Sequence, residues 1–206
     1  MSSYEPRFGK YRGVVVNNFD PTYCGRITVK VPDVYGDLPS GWAMPCAPVA
    51  GPSAGMCMVP AIGASVWIEF EQGNPNKPIW SGCFWELPAQ VPTEAFKPLP
   101  TNFVLKTVGK SLISIDDSTM SMKLKTVNGN EIAITPAGIS MKTSTGASLS
   151  IAASGITMQV SPTGPKLSMT PTTVELTTGL PPPAGSSVMM QGAQVSINGE
   201  SFKVIG

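Results

Sequence analysis

From Glu131 to Thr177 apolar side chains recur two positions apart, in pairs broken by short turns. Glu131 to Lys142 reads EIAITPAGISMK, and Ser148 to Gln159 reads SLSIAASGITMQ, 17 residues later. Lys166 to Thr177 reads KLSMTPTTVELT, a further 18 residues on. Ile113 to Lys123 (ISIDDSTMSMK) fits the same frame with Ile113 under Ile132, 19 residues earlier. Val195 to Val204 (VSINGESFKV) reads as a last, shorter copy after an interruption at Leu180 to Ser187. A fixed period of this kind is the signature of a repeat architecture.

Each unit predicts two short strands around a tight turn. Alternate residues of a strand face the same side. Ile132, Ile134, Ile139 and Met141 therefore share a face in one unit, and Leu149, Ile151, Ile156 and Met158 in the next. Leu167, Met169, Val174 and Leu176 continue the pattern, and Ile113 and Ile115 begin it. Ser, Thr, Ala and Lys occupy the other face. One unit offers only four medium-sized apolar side chains, so a lone ribbon would expose a greasy stripe and raw edges. A single-chain solenoid with so little bulk would enclose a very thin core. Three chains around one axis solve both problems: these residues meet at the axis, and neighbouring chains pair the edges. About ten strands at roughly 4.8 Å predict a shaft about 45 Å long.

The first half has another pattern. Tyr11 to Val16 reads as a strand, and Gly25 to Val31 (GRITVKV) alternates apolar and polar residues with the period of a half-buried strand. A third segment lies near Gly41 to Ala47, followed by Ser65 to Glu71 (SVWIEFE) and Ile79 to Trp85 (IWSGCFW), with no helical periodicity. Five strands in about 80 residues, with corners at Gly25, Gly63, Gly73, Pro78 and Gly82, predict a small closed Greek-key barrel. Leu87 to Thr101 holds four prolines, which remove backbone donors and mark a linker. The expected organisation is a barrel at 1–87, a Pro-rich linker at 88–110, and the shaft and tip at 111–206.

Composition sharpens the division. All four Trp and all four Tyr precede residue 86, whereas 29 of residues 101–206 are Ser or Thr and Phe202 is the only aromatic after Phe103. An aromatic core thus gives way to something narrow. The chain carries 14 Lys and Arg against 13 Asp and Glu. Residues 1–100 hold 7 basic and 8 acidic residues, and the remainder 7 and 5. Neither half has a charge signal for nucleic acid or anionic lipid. The Met1 to Pro6 start lacks signal-peptide features, and no apolar run approaches a membrane span of about 18 residues. The expectation is a soluble protein made and assembled in the cytoplasm, with Cys24, Cys46, Cys57 and Cys83 as buried reduced thiols.

Candidate chemistry is thin. Gly51-Pro52-Ser53-Ala54-Gly55 matches G-x-S-x-G, but the chain has no histidine to act as base, and a barrel loop accounts for it. Asp116 and Asp117 with Glu131 suggest a carboxylate or metal site, yet neighbours on a strand face opposite ways, and a turn is the better account. Without histidine, zinc would need four thiolates at unsuitable spacings. Trp67, Trp80, Trp85, Phe70 and Phe84 could stack bases, but a positive groove is missing, and an aromatic core accounts for them. No catalytic, cofactor or metal site is expected.

Gly25-Arg26-Ile27-Thr28-Val29-Lys30-Val31-Pro32, Trp42-Ala43 with Pro45, Gly63 before Val66-Trp67-Ile68-Glu69-Phe70, and Gly73, Pro78 and Gly82 together resemble one known domain. It is the OB-like domain of contractile-tail spikes: phage baseplate assembly protein V, the cell-puncturing spike of large phages, and the valine-glycine repeat spikes of type VI secretion. The likeness spans roughly residues 11–85. It implies an all-β protein, with an N-terminal OB-like five-stranded barrel followed by a C-terminal trimeric (triple-stranded) β-helix. It further implies a homotrimer docked on a tail hub, placed at the tip of a virion tail baseplate or other injection particle and meeting a membrane only as a puncture target. The interval from Trp85 to Ile113 is too short for the lysozyme domain some relatives carry. The His-x-His iron site of small phage spikes is absent, and Val204-Ile205-Gly206 would seat a separate tip protein instead. The expected function is mechanical and non-enzymatic. Two rival readings are an OB-type single-stranded nucleic-acid binder with a solenoid extension, marked by salt-dependent DNA binding, and a β-solenoid adhesin, marked by an aromatic surface strip.

Overall fold

The strands of the first half are short and rich in β-branched residues, and they fold as expected around a small apolar centre. In the computed structural model β1 (Tyr11–Asn17) pairs antiparallel with β2 (Thr28–Lys30) and with β6 (Ser65–Phe70). The latter pairs with β7 (Pro78–Phe84), which runs parallel to the two-residue β3 (Met44–Pro45). The five-stranded sheet therefore has the order β2-β1-β6-β7-β3. Regular pairing does not close it into a full barrel. Instead an isolated bridge spans the gap, with Ile27 N donating to Ala43 O at 3.2 Å and Ala43 N to Ile27 O at 2.7 Å. Val15, Ile27, Val29, Val31, Ala43, Val66, Ile68 and Phe70 form the buried core. Residues 5–96, 100–179 and 185–198 are described, together with the backbone of 202–205.

Two local elements depart from the expected pattern. Pro32–Tyr35 is a one-turn helix, α1, with Pro at its start, where a missing N–H costs nothing. Tyr35 anchors it, donating its hydroxyl to Pro75 O at 2.6 Å, and burial pushes the phenol pKa up to about 12. The G-x-S-x-G stretch is a tight hairpin, β4 (Ala50–Gly51) with β5 (Ala54–Gly55), and Ser53 sits at its turn with φ 55°. The four cysteines are free but exposed, contrary to the expected burial: Cys24, Cys46 and Cys57 fall outside the strands, and Cys83 lies next to the last residue of β7.

Asp20 holds the β1–β2 loop together. Its carboxylate accepts hydrogen bonds from Thr22 N, Thr22 Oγ1, Cys24 N and Arg26 N, and from both Nε and an Nη of Arg26 at 3.1 and 2.8 Å. The Arg26 guanidinium also lies over the Trp42 ring at 5.4 Å.

The chain divides into Met1–Val91 and Pro92–Gly206. The second unit is an antiparallel meander of twelve strands in strict chain order. These are β8 (Asn102–Lys106), β9 (Leu112–Asp116), β10 (Ser121–Lys125), β11 (Glu131–Thr135), β12 (Gly138–Lys142) and β13 (Ser148–Ala152), continuing with β14 (Gly155–Gln159), β15 (Lys166–Met169), β16 (Thr173–Thr177), β17 (Ser187–Gln191), β18 (Gln194–Ile197) and β19 (Phe202–Ile205). One chain forms this open meander and not a single-chain solenoid. Each interior strand has both edges paired to its own sequence neighbours, so only the outer edges of β8 and β19 are left for strand pairing. Within residues 88–110, read above as linker, the chain makes short 3-10 turns at Pro88–Gln90 and Thr93–Ala95 and then β8. Lys106 Nζ reaches both Glu94 carboxylate oxygens at 2.8 Å, tying the second turn to β8 and holding the Glu94 carboxyl below its usual range.

Threonine opens the loops on one side of the meander. Thr107, Thr126 and Thr143 each donate their backbone N–H to a carbonyl four residues on, Ser111 O, Asn130 O and Ala147 O. Asn130 Oδ1 accepts from Ser144 N at 2.9 Å, stacking one loop on the next. On the other side two of the turns are reduced to Pro136-Ala137 and Ala153-Ser154 and end in Gly138 and Gly155. Gly138 has φ 140°, and a Cβ there would lie 2.1 Å from Ile151 O of the adjoining strand. Only glycine allows that approach.

Gly138→Ala is expected to lower the stability of this sheet by more than about 1 kcal/mol, whereas Gly109→Ala, whose Cβ meets nothing nearer than 3.9 Å, is expected to be mild. Thermal melts followed by circular dichroism compare the two. A second expectation concerns Asp20. The Arg26 side chain, by its hydrogen bonds, holds that carboxyl far below the ordinary carboxylate range. A depressed folded pKa stabilises the fold fully above the unfolded value near 4, and that contribution shrinks as pH falls from there toward the folded value. Asp20→Asn should therefore lower the melting temperature at pH 7, and the gap from the parent chain should narrow by pH 3.

Candidate self-association face

The register of the meander aligns its apolar positions into two continuous rows. One row runs Phe103, Ile115, Met122, Ile134, Ile139, Ile151, Ile156, Met169, Val174, Met190 and Val195, and at backbone level reaches Val204. The other runs Leu105, Ile113, Leu124, Ile132, Met141, Leu149, Met158, Leu167, Leu176, Val188 and Ile197, and reaches Phe202. Directly paired residues point to the same face, so both rows lie on one side of the sheet. The intervening positions, including Lys123, Ala133, Ser140, Ser150, Thr157, Ser168 and Glu175, lie on the other.

A single chain leaves this face uncovered. Among the described residues, the only buried hydrophobic residues of the second unit are Leu112 and Ala133, and both belong to the polar side. Members of the two rows are instead 38% to 56% exposed at fourteen positions from Phe103 to Ile197. A groove of about 630 Å³ runs along the second row, floored by Leu124, Ile132, Met141, Leu149, Met158, Leu167 and Leu176. No charged side chain belongs to either row. Charges gather on the opposite face, where Lys142 Nζ meets Glu131 Oε1 at 3.4 Å.

All fourteen residues proposed for the axis, from Ile113 and Ile115 to Val174 and Leu176, fall in these rows. The sequence reading missed eight further members: Phe103, Leu105, Met122, Leu124, Val188, Met190, Val195 and Ile197. Met122 and Leu124 carry the same i, i+2 signal as Ile139 and Met141 and were within its reach, whereas Phe103 and Leu105 sit in a stretch read as linker. Of the tip residues, the side chains of Val204 and Ile205 and the whole of Gly206 lie outside the described residues. Among the barrel corners, Gly25, Gly63, Gly73 and Gly82 have φ of 74°, 83°, 74° and 150°, and Pro78 is the buried first residue of β7. Gly73 is the crowded one, with room for a Cβ only 3.0 Å from the Phe8 ring.

The alternative chemistry does not assemble. The aromatics that might have stacked bases are split between faces: Phe70 and Trp80 pack in or against the core, while Trp67 and Phe84 face outward with Arg12 over them at 5.5 and 5.0 Å. Asp116 lies at one border of the meander and Glu131 at the other, so they do not converge. Asp116 instead accepts from Ser118 N at 3.0 Å in the following turn.

Comparison with known families gives two matches in chain order. Residues 11–85 match the injector OB domain of type VI secretion systems and phage baseplates, and residues 148–203 match the phage baseplate V C-terminal trimerisation domain. The chain belongs to the phage baseplate V family. No curated protein matches it significantly. A baseplate V protein is a structural component of the phage tail baseplate, and its trimerisation domain makes this chain self-associate as a homotrimer. Among the described residues no helix is long and apolar enough to cross a membrane.

Ile151→Asp, which places a charge in the middle of the first row, is expected to abolish the trimer. Ser150→Asp, one residue away on the opposite face, is expected to keep it. Light scattering after size-exclusion chromatography reads both masses against three times 21.6 kDa.

Proposed function

We propose that this baseplate V protein is the central spike of a contractile injection machine, docked on the tail hub through its OB unit and driven mechanically through the target membrane. The observation that carries the reading is the pair of apolar rows, continuous from β8 to β18 and open along their length in one chain. Burying an apolar side chain is worth about 1.5–3 kcal/mol when fully exposed to begin with, so each of these half-exposed residues stands to contribute about 1 kcal/mol. Three copies turning their rows inward remove that surface from water and leave Ser, Thr and Lys outside. In this arrangement the trimeric shaft is a three-sided prism of meanders, a β-helix built by the assembly rather than wound by one chain. The fourteen axis residues and the eight added here form its dry centre. Twelve strands at about 4.8 Å set its length at about 53 Å.

Mostly aliphatic side chains of moderate size suit this role. With no Trp or Tyr in the second unit, the three faces approach closely, and a narrow section concentrates force on a small area. No residue is asked to transform a substrate; the work is supplied by contraction of the tail. The tail hub meets the OB unit, and the end at Val204, Ile205 and Gly206 seats a tip protein. The virion tail or injection-particle tip is the place of action.

The test uses particles. Particles carrying Ile151→Asp spike are expected to lose delivery of their contents at least tenfold, while Ser150→Asp particles deliver normally. Equal delivery by both would refute the mechanical reading, and loss of particle assembly itself in Ile151→Asp would assign the trimer to baseplate construction.

A further inference from the structure

The first unit has two unlike ends. Pairing of Val14 with Ser65 and of Ser65 with Phe84 places the end of β1, the start of β6 and the end of β7 together. The opposite end, where Phe70 pairs with Pro78, carries the ion pairs Lys10–Glu69 at 2.6 Å, Lys77–Glu71 at 3.2 Å and Arg7–Glu5 at 3.0 Å. The first end carries few charges: Lys30 pairs with Val14, and the Arg12 guanidinium lies 5.0 Å from the Phe84 ring. No charged residue occurs between Asp37 and Glu69, and in the segments 17–26, 60–65 and 84–87 the charges are Asp20, Arg26 and Glu86, the first two paired to each other.

Large apolar groups crowd this end. Phe19, Tyr23, Ile62, Trp85 and Leu87 are 61% to 86% exposed. Single exposed hydrophobics are ordinary, and the opposite end has one in Phe8, but five at one end of a small unit mark an interaction surface. The loop that carries two of them is also rigid. Six hydrogen bonds to the Asp20 carboxylate brace it, and Asn18 Nδ2 pins it to Pro60 O at 3.0 Å. Tyr23 is held at φ 56°, a conformation uncommon outside glycine, while its ring makes no use of the unit's own core. Strain held in place by over-determined surroundings, with an aromatic ring presented to solvent, is the form of a preorganised contact residue.

We propose that this apolar end packs against the same end of the neighbouring copies, forming a second self-contact at the level of the OB unit. The inference rests on the homotrimer and adds an interface distinct from the apolar rows. Its occupant follows from connectivity. The chain leaves this end at Phe84 and enters the second unit at Pro92, whose first turn is tied to β8. Eight residues span at most about 28 Å, so trimerisation tethers three copies of this end near one another at millimolar effective concentration. Aromatic anchors suit contact at that concentration. The charged end, across the unit from the tether, has no such neighbour imposed on it.

Cys24, exposed and next to Tyr23, reports the contact. In the full-length chain carrying Cys46→Ser, Cys57→Ser and Cys83→Ala, a short bismaleimide should link Cys24 into covalent dimers and trimers, provided light scattering gives the same trimeric mass as the parent. Adding Phe19→Asp and Tyr23→Asp should cut that linking at least tenfold and leave the trimeric mass unchanged. A full-mass trimer in which Cys24 gives only single adducts would overturn the proposal and leave this end to another occupant such as the tail hub. A monomeric parent would instead overturn the trimer itself. Hydrogen exchange in the chain with all cysteines intact provides a second reading: amides of residues 19–24 should exchange at least tenfold faster in the Phe19→Asp, Tyr23→Asp chain, and equal rates would also overturn the self-contact.

Discussion

Everything in the second unit depends on one imbalance: a sheet with two unbroken apolar rows on one side and no partner for them within the chain. Hydrogen bonding alone cannot settle such a sheet in water, because the backbone is satisfied while the rows stay wet. Ala133, small and central on the polar side, is more deeply buried than Ile134 beside it in sequence. That inversion of the usual order identifies the missing component as another apolar face, and the matched trimerisation domain says how many copies supply it.

The first unit solves the same problem by itself. Its strands curve around Val15, Ile27, Val29, Val66 and Ile68, and two backbone hydrogen bonds between Ile27 and Ala43 bridge the gap that regular pairing leaves. Trp80 contributes from the side, donating Nε1–H to Gly25 O at 3.1 Å, which places a large ring against the core without stranding its polar atom. The loop that follows β1 then hangs on one carboxylate. Its order is electrostatic where the core's is apolar.

How far the chain could be read in advance depended on where the signal was local. Period-two alternation is a property of neighbouring residues, so Ile132–Ile134, Leu149–Ile151 and their successors announced both their strands and their common face. Strand pairing is not local in that sense. The same alternation suits a wound β-helix and a meander, and the tight turns at Pro136-Ala137 and Ala153-Ser154, each too short for anything but a hairpin, were the clue that separated them. Strand β8 was hidden by the prolines before it, although Phe103 and Leu105 have the same spacing as every later pair. The helix at Pro32–Tyr35 is too short to show a period at all, and the exposure of the four cysteines depends on loop paths that composition does not encode. The loop anchored on Asp20 was likewise out of reach, since its six bonds depend on Arg26 returning across the loop.

The strict chain order of the meander also decides how the molecule takes load. Hydrogen bonds between antiparallel strands lie perpendicular to the strands, so in a stack of twelve they point along the stack. A push on the end strand presses each rung onto the next and shortens no bond past its contact distance. A pull on the same strand meets one rung at a time and peels it, as a zipper opens. The sheet is therefore a one-way strut, firm under thrust and weak under retraction.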